Sequence, residues 1–221
     1  MKFDIARQPL VPAFMTLFAL AVAAMCAGIP VPDTETSGAV REALPLLGGQ
    51  LARFQAAYPV WSKFAAGFML LFAGMCTGRI SIRYNLYTVG TCLPIPLYAI
   101  VACGIATGGN YLAGFAASML LALATKNYCR AFCNGYGFDA IFRASLYLGL
   151  MPLIYAPALP LLLLLPLAVL LFRRTFREVV VATAGLLLPI FTACYVSWGS
   201  GAEFTAPLVL SLIHISEPTR H

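Results

Sequence analysis

The chain has 221 residues, 61% of them hydrophobic and 10% charged, with a mean hydropathy of +0.87 and a formal net charge of +6. That balance argues against a soluble globule, which would lack the polar groups to meet water. The basic excess does not read as a nucleic-acid surface either, because the cations occupy short gaps between apolar stretches, where anionic lipid headgroups are the natural partner.

A helix rises 1.5 Å per residue, so a hydrocarbon core of roughly 30 Å asks for about twenty apolar residues. Residues 10–27 meet this first. The leader MKFDIARQPL before an apolar run ending in AAMCAG raises the alternative of a cleaved signal peptide. The run is long for that role and its cleavage pattern is poor, so an uncleaved first span is the reading taken. The long gap that follows, 30–59, reads as an external loop carrying Asp33, Glu35 and Glu42. Some membrane glycosyltransferases carry a catalytic acid in a first external loop, but no adjacent acidic pair accompanies these three, and plain solvation is the simpler account. Leu44, Leu47, Leu51, Phe54 and Tyr58 recur at three-and-four spacing in the same gap. Two readings stay open: a helix from about Leu46 lying on the outer membrane surface, with Tyr58 and Trp61 at headgroup level, or a stripe packed on neighbouring spans. A third, functional reading makes it a lid over an outward-facing cavity.

Spans are next expected at 60–76, 86–106 and 111–125, the last lengthened by a snorkelling Lys126. Thr88, Thr91, Pro94 and Pro96 predict a kinked third span, and Gly114 and Ser118, with Ala113 and Ala117, give the fourth a small-residue packing face. Residues 126–143 read as a cytoplasmic loop turning at Asn134-Gly135 and Gly137, after which Asp139 falls in the first turn of a helix and Arg143 one turn later. Arg130 and Arg143 are candidates to contact a lipid phosphate.

Residues 138–172 are too long for one crossing and contain Pro152, Pro157, Pro160 and Pro166. A break at 156–160 predicts two helices, about 138–155 and 158–172. With the N-terminus in the cytoplasm, this choice puts Lys2, Arg7, Arg79, Arg83, Lys126, Arg130, Arg143, Arg173, Arg174 and Arg177 inside and Arg41, Arg53 and Lys63 outside, ten against three. The positive-inside rule favours it over a single crossing, which would export Arg173, Arg174 and Arg177. A last span is expected at 179–196. The fold class is therefore all-α, a polytopic membrane bundle with about seven visible spans over 1–209, and no Asp, Glu or Lys at depth.

Cys129 and Cys133 stand four apart without a histidine nearby, a poor zinc pair, and the external loop has no cysteine to form a disulfide framework. No metal or cofactor is expected, and no nucleotide loop, Gly-x-Ser-x-Gly elbow or HExxH is present. LSLIHISEPTR at 210–220 resembles the translation of a transposase-type sequencing adapter. Residues 210–221, which hold both histidines, His214 and His221, are set aside on that ground, with the natural reading ending near Val209 and an eighth span expected to begin about Thr205.

From Thr125 through Pro189, in TKNYCRAF, GFDAIFRASLYLGLMPLIYAPAL and FRRTFREVVVATAGLLLPIF, the chain resembles a family of multi-pass inner-membrane proteins of unknown function from Bacteroidetes-type bacteria. The resemblance implies a bacterial cytoplasmic-membrane location and further spans, and no activity. The functional expectation is a non-enzymatic envelope subunit or scaffold. Its basic residues Arg130, Arg143, Arg173, Arg174 and Arg177 would touch anionic headgroups, and other membrane subunits would be partners; no catalytic residue is assigned. The alternatives are a membrane enzyme or carrier acting on a lipid-linked glycan, and a small-solute transporter, which the lack of ionisable groups at depth disfavours.

Overall fold

The computed structural model describes residues 10–26, 46–84, 91–106, 110–133, 137–163, 175–201 and 203–205. Within them every regular element is helical: α1 (Leu10–Cys26), α2 (Leu46–Ala57), α3 (Pro59–Arg83), α4 (Pro94–Ala106), α5 (Tyr111–Cys133), α6 (Phe138–Ile154), a 3-10 helix (Ala156–Leu163) and α7 (Phe176–Gly199). The expected all-α class is observed. Among them α3 and α7, with 25 and 24 residues, are long and apolar enough to cross a bilayer, and α1 and α4 are shorter apolar helices.

The boundaries depart from expectation where local chemistry, not hydropathy, sets them. α3 continues past 76 to Arg83 and α5 past 125 to Cys133. Arg79, Lys126 and Arg130 end the apolar runs but are good helix formers, so the backbone ladder carries on. Much of the loop expected at 126–143 is thus helix. α4 begins at Pro94, not 86. A first helical residue has no intrahelical use for its N–H, which suits proline, and Thr91 Oγ1 accepts the Leu93 N–H at 3.2 Å just before it. Thr88 lies outside the described residues. The break near 156 is present, with α6 ending at Ile154, but the helix expected over 158–172 opens as the 3-10 helix with Pro160 inside it. Prolines there deprive an α-ladder of donors. Residues 164–172 are outside the described residues.

Close contacts give the helix directions. Leu17 meets Gly74 and Met25 meets Gly67, so α1 and α3 are antiparallel. Ser62 meets Tyr111, and Ala73, Cys76 and Ala122 share a cluster, so α3 and α5 run parallel. Ile105 over Gly114, and Tyr98 with Ser118, set α4 antiparallel to α5. Ala131 against Gly137 turns α6 back along α5, and Gly149 on Leu186 with Gly185 on Phe142 lays α7 parallel to α6. One end of the bundle therefore gathers the ends of α3 and α5 and the starts of α1, α6 and α7.

The opposite end carries α2, which packs on α3, α5 and α6. Of the two readings of its stripe, packing on the neighbours is the one observed for its first half: Leu51 joins the main core cluster, and Gln55 Oε1 accepts the Leu112 N–H at 3.3 Å. Phe54 and Tyr58 remain exposed.

Side-chain size is sorted in the reverse of the order water would impose. More than half of the buried apolar side chains are alanine, while Phe14, Phe18, Phe64, Phe68, Phe72, Phe191 and both tryptophans face outward. Phe115 is the one phenylalanine among the described residues that is fully buried. A soluble core is built the other way, around its largest apolar groups. Small residues between helices and large ones outside suit a solvent as apolar as leucine, where close backbone approach drives packing.

Candidate functional site at the basic end

The end where α3 and α5 finish and α6 and α7 begin carries Arg79, Arg83, Lys126, Arg130, Arg143 and Arg177, whereas the α2 end has Arg53 and Lys63 among the described residues. Arg130 is exposed in the last turn of α5, where a cation meets the negative end of the helix dipole. Asp139 sits in the first turn of α6, the opposite pole. Arg143 Nε donates to Asp139 Oδ1 at 3.0 Å, the one-turn pair that the spacing predicts. With 59% and 67% of the two side chains exposed, it is worth about a few tenths of a kcal/mol. Arg177 is exposed on the first turn of α7. Arg173 and Arg174 lie outside the described residues, as do Asp33, Glu35 and Glu42. The structure thus brings Arg130, Arg143 and Arg177 to one end, each on a different helix, and Asp139 offsets the charge of one of them.

One residue of this end escaped the sequence. Just ahead of the span expected at 179–196, Glu178 is 1% exposed. α7 starts at Phe176, before the expected 179, which brings Glu178 onto the buried stripe of Ala182, Gly185, Pro189, Ala193 and Ser197. The signal was present: stepping back from Ser197 by four to Ala193, Pro189 and then Gly185, by three to Ala182 and by four again leads to it. Its position in the first helical turn suits a negative charge.

Hydroxyl pairs tie α5 to α3 and α4, and a third hydroxyl of α5 approaches α6. Ser62 Oγ donates to the Pro59 carbonyl at 2.8 Å, so in its contact with Tyr111 the tyrosine supplies the proton. Tyr98 and Ser118 pair at 2.6 Å. Ser145 Oγ donates to the Ile141 carbonyl at 2.8 Å and stands near the buried Tyr128 hydroxyl without a well-formed bond to it. Beyond the apolar 111–125 stretch, burial pushes the Tyr128 hydroxyl up to about 12 against a smaller lowering by Ser145. Burial also pushes the Cys129 thiol up, and Cys133 adds to it. Among the described residues no three His, Cys, Asp or Glu side chains lie together as a metal site. The arrangement can attract anions at the surface and hold one carboxylate beneath it.

Searches against family models, curated proteins and solved structures return no match to this chain.

Proposed function

We propose that the chain is a multi-pass helix bundle of a bacterial cytoplasmic membrane, its N-terminus and basic end inside, serving as a non-enzymatic subunit or scaffold of the envelope. The observation that carries this reading is the inverted core, alanine and glycine within and phenylalanine and tryptophan without. The alternation of helix directions and, among the described residues, the six cations at one end against two at the other support the topology. Arg130, Arg143 and Arg177 then meet anionic headgroups, with Arg173 and Arg174 next to them in sequence, at about 1 kcal/mol for each cation near the surface. α1 and α4 are short for a crossing, and tilt or local thinning accommodates such helices.

A second reading, an enzyme or carrier acting on a lipid-linked glycan, draws on one observation, the buried Glu178 directly behind the exposed Arg177. An acid sheltered at a headgroup-facing end is where a phosphate-linked substrate would meet proton chemistry.

Two cysteines serve as native topology reporters, since Cys26 is exposed at the end of α1 and Cys133 at the end of α5, on opposite ends of the bundle. Single-cysteine variants labelled with a membrane-impermeant maleimide are expected to react at Cys26 in right-side-out vesicles and at Cys133 in inverted ones. Labelling of both from one side, or release of the chain by an alkaline wash, sinks the membrane topology. For the scaffold role, native electrophoresis in mild detergent is expected to show the chain in a larger assembly. A lone protomer that is needed for turnover of a lipid-linked glycan, with Glu178→Gln abolishing that turnover, moves the assignment to the second reading.

A further inference from the structure

At the end opposite the arginines, the elbow between α2 and α3 forms an open cleft of about 520 Å³ lined by Phe54, Tyr58, Trp61, Phe64, Ala65 and Phe68. Five of the six are aromatic, and the volume is in the range of small-molecule sites, roughly 300–1,000 Å³. The lining descends along one side of α3, from Trp61 at its first turn to Phe68 two turns farther in. Its top is amphipathic: Tyr58 and Trp61 carry a hydroxyl and an indole N–H on apolar rings, the residue types that sit at headgroup level. Arg53, exposed, immediately precedes Phe54 on α2, and no Asp or Glu occurs between Glu42 and Asp139.

We propose that this cleft is a specific lipid site, taking one acyl chain of an anionic phospholipid along Trp61, Phe64 and Phe68 while Arg53 meets the phosphate. The inference rests on the membrane reading above. Lipid is favoured over a protein partner because an aromatic-lined slot along α3 leads up to Tyr58 and Trp61, with the exposed Arg53 one residue from Phe54, the order in which a phospholipid presents its chain and its phosphate. A water-soluble ligand would find no polar group along the wall below Trp61.

The two tryptophans, Trp61 and Trp198, make the test direct. In Trp198→Phe, Trp61 is the sole indole. Purified in detergent, this variant is titrated with phosphatidylglycerol brominated in mid-chain, and separately with the phosphatidylcholine analogue. The expected result is quenching that saturates at one lipid per protomer, with phosphatidylglycerol half-saturating at about fivefold lower mole fraction and Arg53→Gln removing that preference. Ala65→Phe, which fills the cleft, is expected to abolish the saturable phase with helix content unchanged. Trp61→Phe leaves Trp198, exposed at the end of α7, as the reference, quenched only in proportion to the lipid in the micelle.

Quenching of Trp61 that merely tracks Trp198 reduces the cleft to annular contact and overturns the site. Saturable quenching that survives Ala65→Phe places the lipid elsewhere, and saturation without headgroup preference removes Arg53 from the site. Protection of Trp61 from both lipids, with a dimeric mass, puts a second copy of the chain in the cleft instead. The alkaline wash reads membrane integration separately. A chain that resists the wash but shows no saturable quenching loses the cleft and keeps the membrane reading.

Discussion

The bundle makes two kinds of glycine contact, and they differ in what stands opposite. Along α3, a Cβ at Gly67, Gly74 or Gly78 would strike the side chains of Met25, Leu17 or Ile95. Between α6 and α7, a Cβ at Gly149 would overlap the Leu186 carbonyl, and one at Gly185 would stand 2.8 Å from the Phe142 carbonyl oxygen. A side chain can change rotamer to make room, at a cost of order 1 kcal/mol, whereas backbone moves only if the whole helix moves. The α1–α3 contact is therefore adaptable, and the α6–α7 contact has a set spacing.

The sharpest way to break that contrast is Gly149→Ala, expected to destabilise by about 1–3 kcal/mol in detergent unfolding, with Gly185→Ala close behind. Because the obstacle is a carbonyl, Leu186→Ala in the same molecule should recover none of the loss; recovery would show that the contact is a side-chain one after all. Gly74→Ala is expected to cost about 1 kcal/mol or less, and close to nothing in a Leu17→Ala background, where the opposing methyls are gone. A double-mutant cycle measures that coupling, and additive losses would mean that the α1–α3 contact is as rigid as the other.

Smaller still is Tyr111→Phe, which removes the proton given to Ser62 and is expected to cost about 0.6 kcal/mol, the average for an interhelical hydrogen bond in a membrane protein. A loss above about 2 kcal/mol would make the hydroxyl pair, not the small-residue packing, what joins α3 to α5. Asp139→Asn should change stability by no more than about 0.5 kcal/mol, since the Arg143 pair is exposed. A larger change would give the basic end a structural role and weaken its reading as a lipid-facing surface.

The all-α class and the place of several helices were legible because hydropathy sets them: α1, α6 and α7 lie within a few residues of 10–27, 138–155 and 179–196. Hydropathy was blind to helix ends that continue through Arg79 and, beyond the turn expected at Lys126, through Arg130, since a helical backbone has no objection to charge once it leaves the apolar layer. It was also blind to the 3-10 geometry at 156, which depends on which N–H groups the prolines remove. At the site, the Asp139–Arg143 pair followed from spacing alone because it is local. Glu178 did not, because its burial depends on where α7 starts and on what α6 sets against that face. The hydroxyl pairs join residues as far apart as Ser62 and Tyr111, and spacing along one helix cannot reveal them.

Those pairs bear on the order in which the molecule is made. Tyr111 looks back to Ser62, Ser118 back to Tyr98, and Tyr128 forward to Ser145, so α5 meets partners that have just left the ribosome or are about to. The Tyr98–Ser118 contact spans 20 residues and the Ser62–Tyr111 contact 49, and the entropy cost of closing a loop grows only slowly with its length. The growing chain can thus be knitted helix by helix, with α5 as the stitch between α3 and α4 already laid down and α6 still to come.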